Sequence, residues 1–217
     1  LQAAINSGNA NAVTQVINTL AAGNPQRAAT LAQQSVAAAE RLLAVNPQAA
    51  VAVAGATMQV VAQLQVQNAA PPQVLQTVTT AARIFVSPAA QRVAPEQAGA
   101  LAVQATQIVS SPTIYAANPT AALQVMASAY QTVQSPSVVA ANPTAGARVT
   151  QVLAQASQAQ TLGQVNPANS NQIAQILGSG NSNLPSLAGE QQGATGAQNP
   201  SETPLRSELN SFQASPT

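Results

Sequence analysis

The chain has 217 residues and a formal net charge of +1, with 5% charged residues and 2% aromatic ones, against roughly 25% charged in an ordinary soluble domain. It has no His, Cys, Trp, Lys or Asp: its cations are Arg27, Arg41, Arg83, Arg92, Arg148 and Arg206, its anions Glu40, Glu96, Glu190, Glu202 and Glu208. Imidazole and thiolate metal sites, disulfides, Schiff-base lysines and Ser–His–Asp or Cys–His machinery are thereby excluded, and dispersed Arg with two Tyr and two Phe makes no nucleic-acid surface.

Residues 1–23 read as a divergent first unit. Val13, Val16, Ile17 and Leu20 make a helical stripe, and Ala22-Gly23 closes it, as glycine commonly does at a helix C-terminus. A chain opening on Leu1 is expected to be a fragment or to have lost an N-terminal segment, a secretion signal in the second case. Low charge, many amides and hydroxyls and no Lys suit an extracellular or cell-surface protein.

From Asn24 to residue 165 a repeat takes over. Pro47, Pro71, Pro95, Pro119, Pro143 and Pro167 step by 24, Pro25 precedes them by 22, and Pro88, Pro112 and Pro136 form a second series with the same step. Asn24, Asn46, Asn118, Asn142 and Asn166 each stand directly before a repeat proline. An Asn side chain caps free N–H groups at a helix start. Proline suits the next position, where its missing N–H costs nothing, and biases the residue before it out of the previous helix. Ser87, Ser111 and Ser135 precede the second series and mark a shorter helix. The predicted unit is a helix of about 15 residues, a tight turn, one or two helical turns, and another tight turn.

Counted from each proline, the seventh position reads Leu31, Val53, Thr77, Leu101, Val125, Val149 and Ile173, and the fifteenth Ala39, Val61, Phe85, Val109, Val133 and Ser157. Positions 4 and 11 are mostly Ala or similarly small. Offsets of 4, 7, 11 and 15 share one helix face, and small residues there predict close helix packing. Ile114 and Val138 hold equivalent places in the short element. Ala and Gln disfavour strands, and the segments exceed strand length. The apolar stretch from Ala49, interrupted at Gln59 and Gln63, is shorter than the roughly 20 residues of a membrane span.

One such unit cannot bury its own face, whereas stacked units can. The expected fold is therefore all-α, an α-solenoid of about seven 24-residue repeats. It resembles the general class of helical-repeat proteins, with a unit shorter than tetratricopeptide or HEAT units and without their motifs. Residues 166–180 read as a truncated last unit. Residues 181–217 are a Gly/Ser/Pro/Gln-rich tail, linker chemistry, with a short amphipathic stub at 203–213. In that stub Leu205, Leu209 and Phe212 share one face and are the expected partner-docking residues. The body, 1–178, carries five Arg and two Glu, net +3; residues 179–217 carry one Arg and three Glu, net −2. Glu40 and Arg41 are expected to form a solvated pair, and Tyr115 and Tyr130 to be partly buried.

No enzyme activity and no cofactor is expected. The expected role is a self-associating structural protein: the subunit of an extracellular filament, sheath or matrix, stacked head to tail with tail docking, its partner itself and possible further contact with a glycan or surface polymer. The alternative is a monomeric helical-repeat scaffold binding a peptide or glycan on its concave face.

Overall fold

The computed structural model describes residues 1–178. Among these residues the fold is all-α: fourteen helices packed against one another, with no strand. The chain opens with α1 (Gln2–Asn6), α2 (Ala10–Ala21) and α3 (Pro25–Leu42). Long helices then begin at 24-residue steps: α4 (Pro47–Val61), α6 (Pro71–Val86), α8 (Pro95–Val109), α10 (Pro119–Gln134) and α12 (Pro143–Gln158). Six-residue helices alternate with them: α5 (Leu64–Ala69), α7 (Pro88–Val93), α9 (Pro112–Ala117), α11 (Pro136–Ala141) and α13 (Gln160–Val165). The last is α14 (Asn169–Gly178).

Three details depart from the sequence expectation. Helix α3 runs into α4 through residues 43–46 with no short helix between, which is where the 22-residue step comes from. Helices α5 and α13 start at the 24-residue interval without a Ser-Pro pair, behind Gln63 and Ala159, neither of which makes a side-chain cap; packing places them. At the last Asn-Pro, Pro167 and Ala168 form a turn and α14 starts at Asn169, so Asn166 ends α13 instead of starting a helix.

The core is continuous through the described residues. Val53, Thr77, Leu101, Val125, Val149 and Ile173 are all buried at the seventh position, as are Val61, Phe85, Val109 and Val133 at the fifteenth. In the short helices Val66, Ala90, Ile114, Val138 and Leu162, again 24 apart, are buried. Each long helix from α4 to α10 packs against the next long helix and the next but one, so α4 meets α6 and α8, and α6 meets α8 and α10. The short helices follow suit: α5 touches α9, α9 touches α13, and α7 touches α11. Helices α4, α6, α8 and α10 consequently bury more than one face. Helix α4 buries ten of its fifteen residues, whereas α2 buries three of twelve and α14 three of ten. In α2 the buried residues are Val13, Ile17 and Ala21; Val16 is half-buried and Leu20 exposed, so the stripe is narrower than its sequence suggested.

Four buried threonine hydroxyls are satisfied inside their own helices. Thr57, Thr77, Thr106 and Thr132 donate to carbonyls three or four residues earlier, a local option open to Ser and Thr. Close packing shows at Gly99: a Cβ there would lie 2.9 Å from Val138 Cγ1 and 3.3 Å from Ala145 Cβ. At Gly8, φ is +64° and a Cβ would sit 2.7 Å from Ala49 Cβ. Only glycine lets the α1–α2 turn lie against α4.

Candidate functional site

The cap residues divide. Asn24 Oδ1 accepts from the Arg27 N–H at 3.0 Å, Asn46 Oδ1 from the Ala49 N–H at 3.0 Å, and Asn118 Oδ1 from the Ala121 N–H at 3.1 Å. Each satisfies one free donor of the first turn. Asn142 makes no such bond. Its Oδ1 accepts from Thr144 Oγ1 at 3.2 Å, and its Nδ2 donates to the Glu96 carbonyl at 3.4 Å, tying α12 to the start of α8. In the second series Ser87 Oγ accepts from the Ala90 N–H at 3.2 Å and Ser111 Oγ from the Ile114 N–H at 3.5 Å. Ser135 makes no cap, and its buried Oγ has no partner.

Asn166 instead joins a polar group around the buried Tyr115 and Asn169. Tyr115, fully buried on α9, donates its O–H to Asn169 Oδ1 at 2.7 Å and accepts from Asn166 Nδ2 at 3.1 Å. Asn166 Nδ2 also donates to Gln172 Oε1 at 2.8 Å, and Asn169 Nδ2 to the Ala156 carbonyl at 2.9 Å. Burial raises the Tyr115 phenol above its ordinary value, partly offset by the Asn166 hydrogen bond. The group fastens α14 to α9 and α12. Tyr130, half-buried, adds a bond from its O–H to the Leu177 carbonyl at 3.2 Å. The equivalent places one and two units before Tyr115 hold Gln91 and Gln67. Gln91 Nε2 donates to the Phe85 and Val86 carbonyls, and Gln67 Nε2 to the Ala62 carbonyl. Both close off the end of the preceding long helix.

Charge contributes little. The Arg83 guanidinium lies 3.6 Å from the Glu40 carboxylate, so Glu40 pairs across helices and not with its neighbour Arg41. Among the described residues no three His, Cys, Asp or Glu side chains come together, and no helix is long and apolar enough to cross a membrane.

One concavity is a groove of about 240 Å³ between α4 and α8, with Ala10 of α2 also lining it. Ala52, Gly55 and Ala56 floor it with Leu101, and Gln59, Gln97 and Gln104 line it with neutral amides. A polar hollow by Ser7, Gly8 and Asn46 shares Ala52 and Gln97 with it. Between α6 and α10 a second groove, of about 290 Å³, is lined by Pro72, Leu75, Thr79 and Ala121. No ionisable side chain lines any of the three. The expected docking residues Leu205, Leu209 and Phe212, like the whole of 181–217, lie outside the described residues.

Comparison with known proteins gives no relative: no family model, no curated protein and no solved structure matches this chain.

Proposed function

We propose that the chain is a structural, non-enzymatic protein. In this reading it is an α-solenoid of about seven 24-residue repeats that stacks head to tail as the subunit of an extracellular filament, sheath or matrix. The solenoid reading draws support from contacts between next-but-one helices and from buried positions that recur every 24 residues.

The observation that carries the assembly reading is the character of the two ends. Helix α2 exposes Asn11, Gln15, Asn18 and Thr19, and α14 exposes Ser170, Asn171 and Gln175; neither exposes a charged side chain. Terminal repeats with a polar outer face keep a solenoid soluble; here that polarity is carried by neutral groups alone. Neutral amides cost far less to desolvate than charges, and they do not repel a second copy. A contact between two different ends of one molecule propagates into a fibre unless it closes into a ring.

Sedimentation velocity over a hundredfold range of concentration tests this. The expected result is growth into a broad, faster distribution, abolished by Gln15→Glu with Asn171→Glu, which set like charges against each other at the junction. A single small species at every concentration sinks the proposal. It would favour the alternative, a monomeric scaffold binding an uncharged peptide or glycan, which the neutral α4–α8 groove supports.

A further inference from the structure

We propose that residues 203–213 of one copy seat in the groove between α4 and α8 of the next copy, with Leu205, Leu209 and Phe212 against its Ala-and-Gly floor. This rests on the head-to-tail reading and assigns the contact that would reinforce it.

Position is the first argument. The groove has Ala10 of α2 at one edge and continues into the hollow beside Ser7 and Gly8, so the N-terminal helices form one side of it while α8 lies mid-stack. The described chain leaves the opposite end at Gly178 on α14, which packs against α10, α12 and α13. End-to-end stacking brings these two places together at every junction. Reach is the second. Twenty-four residues, 179–202, separate Gly178 from Thr203, and a Gly/Ser-rich chain of that length spans about 25 Å. That covers two to three helix spacings of roughly 8–10 Å.

Shape and charge give the third argument. Ala52, Gly55 and Ala56 leave the floor low, and at Gly55 the nearest side-chain atom to a Cβ would be Leu101 Cδ2 at 3.9 Å, so branched and aromatic side chains have room to enter. Leu205, Leu209 and Phe212 are spaced by four and three residues, the spacing with which one helical face fills a groove between two helices. Arg206 stands off that spacing, Glu202 and Glu208 flank the face three residues either side of Leu205, and no charge in the groove opposes them.

The chain has no Cys, so single cysteines report the contact cleanly. Full-length Gln59→Cys protein, changed at the exposed rim of the groove, is mixed with full-length Ser211→Cys protein and a short bis-maleimide. The expected product is a cross-linked pair of chains, formed several-fold faster than with Asn68→Cys, an exposed position on α5. Adding Phe212→Ala to the Ser211→Cys chain should remove most of that advantage. Equal rates with Gln59→Cys and Asn68→Cys in a sample that polymerises overturn this inference and leave end-to-end stacking standing. So does a Gln59→Cys/Ser211→Cys chain that closes mainly on itself. A single small species in sedimentation overturns the stacking reading itself.

Discussion

Two mid-helix glycines of this chain ought to respond to the same substitution with opposite signs. Glycine inside a helix costs about 1 kcal/mol relative to alanine. At Gly55 nothing approaches a new Cβ closer than 3.9 Å, so Gly55→Ala should raise the urea midpoint by up to that amount. At Gly99 the Cβ would press on Val138 at 2.9 Å and on Ala145 and Asn142 at 3.3 and 3.4 Å, from α11, α12 and the turn between them. Overpacking costs typically 1–3 kcal/mol, so Gly99→Ala should lower the midpoint. Two midpoints moving the same way would mean that α8 and α12 are not in the close contact described. Tyr115 allows a test by pH. The chain has no His, the one side chain that ordinarily titrates between pH 5 and 8. The Tyr115 phenol is raised by burial from an ordinary value of 10.0. Its neutral form is favoured by folding, so that contribution is complete below about pH 10 and is lost as pH climbs through the raised value. Tyr115→Phe should destabilise at neutral pH by about 1–3 kcal/mol, because the Asn166 and Asn169 amides lose their buried partner. It should also flatten the alkaline decline. Parallel pH profiles for the two proteins would contradict this.

The helix starts put the capping argument to use. Asn118→Ala removes a cap bond made to the Ala121 N–H and should cost about 1 kcal/mol. Asn142→Ala removes only a local bond to Thr144 and a long one to the Glu96 carbonyl, and should cost visibly less in the same thermal melt. Equal losses would mean that the Asn side chain acts at these starts through something other than capping. Much of this level was legible in advance. An Asn or Ser before a proline is a signal confined to a few residues, and the helix starts at Pro25, Pro47, Pro119 and Pro143 follow from it. Buried positions every 24 residues follow from periodicity alone. What the sequence hid has a common cause, contact between residues far apart in the chain. The Arg83–Glu40 pair spans 43 residues, and the Tyr115–Asn169 bond spans 54. No local pattern announces either. Asn166 departs from the cap pattern for that reason: its proline looks like every other, but its amide bonds to Tyr115 and Gln172 and the next helix starts at Asn169. Helices α5 and α13 were invisible to a reading based on prolines because their positions are set by Val66 and Leu162 packing into the core. The grooves were equally hidden, since a groove is made by two helices 48 residues apart meeting side by side.

Among the described residues the helices near the two ends leave more of their surface open than α4, α6, α8 and α10 do: α2 buries three of twelve residues, α12 four of sixteen and α14 three of ten. Helices such as α4 are covered on more than one side, while α2 and α14 show water a surface of amides and hydroxyls. In a stack of repeats each interface supplies a share of the stability, and under the proposed head-to-tail stacking one more interface, between the end of one molecule and the start of the next, would be of the same kind as those inside. The near-absence of charge acts in the same direction, because a protein of net charge +1 has little long-range repulsion to hold copies apart. Negative-stain electron microscopy of the full-length chain at two concentrations is the most direct trial of this reading. Unbranched rods of one width, longer at the higher concentration and with a fixed axial repeat, are the predicted images. Uniform short particles, the same at both concentrations, would contradict it.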